Sequence, residues 1–168
     1  MTPYFQTHQS IQNLNSVALS WIGTPFHPNG MEKGRGVSCQ KLFGAIMIEC
    51  GVLPVGFDID SGPVAWNSQE PLIETGMDVK LAQYFESIFG VSVAGVAPVA
   101  SDKGCTGTPS FLPGDAIGFR IGGAVRHVGV CINDEVFIHV MRHCNVDTGL
   151  LLDATWCQRI ARVWRARG

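Results

Sequence analysis

The hydrophobic pattern of this 168-residue chain changes its period near Leu112, and this change limits the folds open to it. Before that point, Ser10–Ile22 and Cys39–Cys50 repeat apolar residues every three or four positions, which predicts helices with one buried face. After it, apolar and polar residues alternate in short runs separated by glycines, which predicts antiparallel strands. The sequence therefore predicts an α+β fold in a single domain, residues 1–168.

Composition and charge narrow the class of protein. Hydrophobic residues make up 46% of the chain and charged residues 15%, with 20 glycines and 9 prolines, as in a compact and loop-rich α+β protein. A net charge of -2 provides no basic surface, so nucleic acid and anionic lipid are excluded as partners. The first ten residues lack a signal-peptide pattern, and no run of about twenty apolar residues occurs. We expect cytoplasmic synthesis without membrane insertion.

The cysteines are scattered. None forms a Cys-x-x-Cys pair, so neither a zinc ribbon nor a thioredoxin-like motif is predicted. Without a secretory signal, reduced thiols are the expectation, each of them apart from Cys39 a small buried apolar residue. The six cysteines are Cys39, Cys50, Cys105, Cys131, Cys144 and Cys157.

The glycine-rich stretch Gly34–Cys39 places a thiol in the first turn of the second predicted helix. Ser38 is the predicted N-cap, its hydroxyl accepting a backbone N–H two or three positions on. Unpaired N–H groups and the helix dipole at this end favour a thiolate. Cys39 also belongs to the apolar face of the helix, so a buried structural cysteine is the alternative. A catalytic role needs a base from elsewhere in the chain.

The remaining segments carry weaker signals. Val52–Gly76 is predicted to be irregular, and Ser101–Ser110 to be a mobile surface loop rich in Gly, Ser and Thr. Between them, Asp78–Phe89 is predicted to be a helix that Asp78 caps. The short runs Val146–Leu152 and Arg159–Trp164 are predicted to complete the antiparallel sheet.

Two histidines lie on the strands of a predicted hairpin, Val125–Ile132 and Glu135–Met141. A two-residue turn would place His127 and His139 on different faces of the sheet. An odd loop places both on one face and joins the aliphatic stripes of the two strands on the other. Because that register gathers the apolar residues, the sequence predicts the odd loop.

A helix-terminal cysteine packed on a sheet with paired histidines suggests nucleophilic catalysis. His127 would take the proton of the Cys39 thiol, and His139 would hold the tautomer of His127. Gly129, next to His127 on the same face, is predicted to leave room for the helix end. Two core histidines without chemistry are one alternative, and a zinc site built from the cysteine and both histidines is another.

The same residues resemble the NlpC family of cell-wall cysteine endopeptidases. Order and spacing of the motifs agree across nearly the whole chain. Trp21–Phe26 is similar to the family's Gly-Thr-Pro-Tyr segment, and Gly36–Cys39 to its Asp-Cys-Ser-Gly segment. Pro113–Asp115 is similar to its Pro-Gly-Asp turn and His127–Val130 to its His-Val-Gly-Ile strand. Phe137–His139 is similar to the strand that carries its second polar residue. Lys33–Val37 and Arg159–Trp164 are most similar to the phage-tail and gene-transfer-agent branch.

The resemblance implies a reduced papain-like fold, with N-terminal helices packed on an antiparallel half-barrel sheet. It implies that Cys39 is the nucleophile, His127 the base and His139 its orienter. The implied reaction, which needs no cofactor, is hydrolysis of a peptidoglycan stem peptide between γ-D-glutamate and a diamino acid. Phage-tail proteins are the implied partners, and a virion or tail the implied location.

Four positions depart from the family pattern near the nucleophile. Ser38 replaces an aspartate, Phe26 replaces a tyrosine, and Gln40-Lys41 replace Ser-Gly. By the resemblance, Phe26, Ser38 and Gly129 are substrate-binding positions, but serine supplies no charge and phenylalanine no hydroxyl. A tail or scaffold component with altered chemistry is therefore the alternative function.

Overall fold

The computed structural model describes residues 2–57, 84–90, 93, 99–101, 104–106 and 110–167. Most of the predicted irregular stretch Val52–Gly76 and the start of the predicted helix Asp78–Phe89 lie outside this part. Residues 84–89 are helical, which agrees with the end predicted for that helix.

The helices begin at residues whose side chains cap them. Helix α1 spans His8–Leu19 and begins two residues before its predicted start, because Thr7 and Ser10 form a capping box. Helix α2 spans Cys39–Glu49, and its N-cap is Ser38, as predicted. Residues 84–89 form the described part of helix α3. The short helix α4, Ala154–Cys157, is capped by Asp153.

The second half of the chain forms a five-stranded antiparallel sheet. Its two later strands fall inside the runs that the sequence predicted would complete it. The strands are β5 (Ala116–Ile121), β6 (Ala124–Cys131), β7 (Val136–His139), β8 (Asp147–Leu150) and β9 (Ile160–Trp164). Their order across the sheet is β8-β7-β6-β5-β9.

Two short ribbons lie outside the main sheet. Strands β1 (Met31–Glu32) and β2 (Gly36–Val37) pair in the loop that precedes α2. Strands β3 (Val99–Ser101) and β4 (Gly104–Thr106) pair antiparallel. The prediction of a loop over Ser101–Ser110 is therefore wrong at Ser101 and at Gly104–Thr106, because these residues pair as strands. Residues 102–103 and 107–109 lie outside the described part of the chain.

The two faces of the main sheet carry separate cores. One face joins the aliphatic residues of β6 and β7 to helix α2. The other face holds an aromatic cluster to which Trp156 of α4 adds. The buried members of that second cluster are Phe111, Ile117, Phe119, Cys131, Phe137, Leu151 and Val163.

A buried ion pair ties the turn before β5 to the residue that follows β9. Asp115 is fully buried, and Arg165 donates to it through Nε and Nη2, both at 2.8 Å. The backbone N–H of Leu112 donates to the same carboxylate. Three donors compensate for the burial of this charge, so the Pro113–Asp115 turn is fixed against the sheet.

Three cysteines differ from the expected reduced, buried thiols. Cys105 on β4 and Cys157 on α4 form a disulfide, with their Cα atoms 6.2 Å apart. Cys144 is a free thiol on the surface. The expectation was wrong because it rested on the absence of a signal pattern, whereas pairing depends on which distant segments the fold brings together. None of the described helices is long and apolar enough to cross a membrane.

Candidate active site

The loop before Cys39 is held on both sides. Phe26 forms a parallel bridge with Val37, and its backbone N–H donates to the carbonyl of Cys144, so the Phe26 segment lies between the loop before Cys39 and the approach to β8. Gly34 has a φ of 78°, and its N–H donates to the hydroxyl of buried Thr24. These bonds fix the backbone that enters α2.

Cys39 lies at the edge of β6 where the neighbouring strand has ended. In the ladder between β6 and β7, Val130 pairs with Ile138 and Cys131 pairs with Phe137. The ladder does not extend to Val128. Backbone N–H groups two residues apart on a strand point to the same side. The N–H of Ile132 donates to the carbonyl of Val136, just before β7 begins its ladder with β6. The N–H of Val128, four residues earlier, therefore also points toward the β7 side. There it faces the thiol of Cys39.

The thiol is buried, with 8% of the residue exposed. Burial raises the pKa of Cys39, while the backbone N–H groups of Val128, Gln40 and Cys39 itself oppose this in part. The sequence predicted that the helix terminus would favour a thiolate. That prediction is wrong for the resting protein, because the cost of burying the anion exceeds the effect of the N–H groups.

The two histidines meet on one face of the sheet, as the odd loop predicted. Ile132 donates to Val136 across three loop residues, and the register pairs Val130 with Ile138. The side chain of Asn133 accepts the backbone N–H groups of Glu135 and Val136, which closes the loop. The Nε2 atom of His127 then lies 3.0 Å from the Nδ1 atom of His139.

Aromatic rings surround the pair. The ring of Trp156 lies 4.6 Å from that of His139 and 5.8 Å from that of His127, between ring centroids. Phe119 stacks on His127 at 5.6 Å, and Phe137 lies 4.9 Å from His139. The sequence does not reveal the place of Trp156, since nothing local to the Asp153-capped turn indicates that it packs over strands β6 and β7.

This enclosure keeps both histidines neutral. Burial lowers the pKa of His127 well below its ordinary value, and His139 and Arg159 lower it further. Burial lowers the pKa of His139 to about 4, against the opposing effect of Asp147. A neutral His127 is free to accept a proton at neutral pH. Within the described residues, no hydrogen bond joins the Cys39 sulfur to His127.

The predicted substrate-binding residues take different positions. Phe26 is half-buried on the bridge to Val37. Ser38 is 1% exposed, and its hydroxyl accepts the N–H of Lys41. A Cβ atom on Gly129 would come within 2.6 Å of the Phe137 ring. The prediction that Gly129 makes room for the helix end is therefore wrong, because an aromatic ring fills that space. The substrate-binding roles themselves stay predictions.

A cleft of about 590 Å³ opens beside His139. Its wall includes Met141, Asp147, Thr148 and Trp156, whereas Cys39 and His127 do not line it. The cleft therefore approaches the histidine pair from the His139 side. Among the described residues, no three His, Cys, Asp or Glu side chains are placed to hold a metal ion. The alternative zinc set of the cysteine and both histidines is thus not assembled.

No protein-family model and no curated protein matches the sequence. Solved structures do match. A protein of the NLP/P60 family from Staphylococcus aureus, described as similar to a lipoprotein, aligns over 100% of this chain and 45% of its own length, with a TM-score of 0.59 and 16% identity. An NlpC/P60 family protein from Bacillus cereus aligns over 93% of this chain and 40% of its own, with a TM-score of 0.53 and 19% identity.

The NlpC/p60 domain of the peptidoglycan hydrolase SagA aligns over 92% of this chain and 97% of its own length, with a TM-score of 0.50 and 15% identity. The chain spans less than half the length of the Staphylococcus and Bacillus proteins. At such identities the agreement concerns the fold. The chain therefore has the papain-like α+β fold of the NlpC/P60 proteins, as the resemblance in sequence implied.

Proposed function

We propose that the chain is a cysteine hydrolase that cleaves an amide bond in peptidoglycan stem peptides, between γ-D-glutamate and a diamino acid. Two observations carry the proposal: His127 and His139 form a buried pair on β6 and β7, and Cys39 begins helix α2 with its sulfur against the backbone of the same strand β6, at Val128. The fold shared with a peptidoglycan hydrolase domain and the resemblance in sequence support the substrate class.

The chemistry begins from a neutral thiol and a neutral imidazole. His127 takes the thiol proton as the sulfur attacks the substrate carbonyl, and the histidinium is held by His139. The N–H groups of Cys39 and Gln40 face the sulfur, and in the proposed reaction they would donate to the oxyanion. His127 then protonates the leaving amine, which leaves a thioester. Water, deprotonated by His127, hydrolyses the thioester and restores the thiol.

The test is hydrolysis of purified peptidoglycan and of synthetic stem peptides that contain the γ-D-glutamyl bond, followed by mass spectrometry of the products. Cys39→Ala is expected to abolish cleavage with an unchanged circular dichroism spectrum. Cys144→Ala, which removes an exposed thiol, is the matched control and is expected to cleave normally. An active Cys39→Ala variant would contradict the assignment of the nucleophile.

A second candidate is a tail or scaffold component that has kept this fold without the chemistry. The observation in its favour is that the buried thiol makes no hydrogen bond to His127 among the described residues. Alkylation distinguishes the two. A hydrolase is expected to lose Cys39 reactivity in His127→Ala, whereas a structural thiol reacts equally slowly with and without the histidine.

A further inference from the structure

We propose that Asp147 is a positioning residue for the histidine pair, its carboxylate lying across from His139 and stabilising the positive charge that the pair acquires when the thiol is deprotonated. The inference rests on the proposed hydrolase function. It adds a fourth member, from strand β8, to the Cys39, His127 and His139 set.

The sheet register brings Asp147 to the correct place. His139, the last residue of β7, is directly paired with Asp147, the first residue of β8. Side chains of directly opposed residues in an antiparallel pair lie on the same face, about 5 Å apart at Cβ. Asp147 is therefore on the histidine face, and both residues line the same cleft. The Oδ1 atom of Asp147 also accepts the N–H of Thr148 at 2.7 Å, which restrains the carboxylate.

A negative charge near the histidines would be stabilising during the reaction, because the pair then carries a positive charge. His127 and His139 are 3% and 9% exposed, so a proton taken from the thiol would place a cation in an aromatic enclosure with little access to water. Because the rings are 3.0 Å apart at their facing nitrogens, the charge on His127 extends to the hydrogen-bonded His139. A carboxylate on the far side of His139 opposes the cost of burying that charge.

Among the described groups around the histidine pair, Asp147 is the one whose charge can stabilise a histidinium. On β6, the titratable neighbour of His139 is His127 itself, which is neutral before the reaction. From the segment after α4, Arg159 acts on His127, and its positive charge disfavours a histidinium. Trp156 of α4 and Phe137 carry no charge. Asp147 is the acidic residue that raises the pKa of His139.

The test combines enzyme kinetics with titration of His139. In Asp147→Asn, kcat is expected to fall about three- to tenfold at low salt, and the acidic limb of the kcat/KM profile to move to lower pH. The sign follows because loss of the negative charge makes the histidine pair harder to protonate. Asp147→Glu keeps the negative charge and is expected to retain most of the wild-type kcat and most of the wild-type position of the acidic limb. Added salt should narrow the gap between wild type and Asp147→Asn, since the carboxylate is exposed.

The control is Glu135→Gln, which removes one exposed negative charge from the β6–β7 loop. It is expected to leave kcat and the acidic limb unchanged. Loss of activity in Asp147→Asn with an unmoved acidic limb would overturn the inference, because a merely structural defect has that signature.

Titration of the His139 ring by NMR separates this inference from the proposed function. The pKa of His139 is expected to be lower in Asp147→Asn than in wild type, whether or not a stem peptide is cleaved. An equal pKa in the two proteins overturns the role of Asp147. A lowered pKa in a chain that hydrolyses no stem peptide instead overturns the hydrolase function.

Discussion

Acid is expected to destabilise the folded chain through its two buried histidines. Burial lowers the pKa of His139 to about 4 in the folded state, from an ordinary value of 6.5. Burial also lowers the pKa of His127, with a further contribution from its neighbour. In the unfolded chain both return to about 6.5. As the pH falls below that value, the unfolded chain binds protons that the folded chain does not, so the free energy of unfolding decreases.

The size of the effect follows from the shift. One pKa unit corresponds to about 1.4 kcal/mol, so His139 alone removes about 3 kcal/mol of stability between about pH 6.5 and pH 4. Below its folded pKa, its contribution no longer changes. In the pH range where both histidines are protonated in the unfolded chain and neutral in the folded chain, the free energy of unfolding changes by up to about 2.7 kcal/mol per pH unit. This is a large share of the roughly 5–15 kcal/mol that stabilises a typical domain.

Urea denaturation followed by circular dichroism at a series of pH values measures this slope. His139→Asn is expected to lose about half of it, because one of the two titrating groups is gone. His8→Asn removes an exposed histidine from the first turn of α1 and is expected to keep the slope of wild type. A wild-type slope no steeper than that of His139→Asn would refute the view that the histidines are buried as neutral groups.

Three further changes test the framework around the site. Reduction of the Cys105–Cys157 disulfide, which joins residues 52 positions apart, is expected to cost about 4 kcal/mol, measured by urea denaturation with and without reductant. Arg165→Met leaves buried Asp115 without its ion pair and is expected to cost about 3–5 kcal/mol, measured in the same way. Gly129→Ala forces the phenylalanine ring of β7 to move and is expected to cost about 1–3 kcal/mol and to alter tryptophan fluorescence. Unchanged stability in any of the three would contradict the packing described for it.

Local pattern was sufficient to predict the hairpin that carries the histidines. The alternation on the two strands allows two pairing registers, one with an even loop and one with an odd loop. The even loop would place the apolar residues of the two strands on opposite faces of the sheet. The odd loop therefore followed from the sequence, and with it the pairing of His127 and His139. Ser38 was likewise predicted as a cap, because capping depends on a few neighbouring residues.

Features that depend on distant segments were not predictable in this way. The disulfide joins β4 to α4, and neither segment carries a signal that refers to the other. The space beside Gly129 was assigned to the wrong neighbour for a similar reason, since the Phe137 ring that fills it comes from the next strand. The protonation state of Cys39 also depends on tertiary burial, which a helix N-terminus alone does not reveal.

The neutral resting state bears on how a thiol in this position would react. Cys39 and His127 are both buried, and separating their charges before a substrate arrives would place two ions in a poorly hydrated site. A substrate carbonyl seated against the N–H groups of Cys39 and Gln40 changes this balance, because negative charge then develops on an oxygen that accepts those donors. In the proposed reaction, proton transfer to His127 would become favourable as the carbon–sulfur bond forms. The arrangement thus favours attack on a bound amide over reaction with free electrophiles. We therefore expect hydrolysis to be faster than alkylation of Cys39, while the alkylation that does occur still depends on His127.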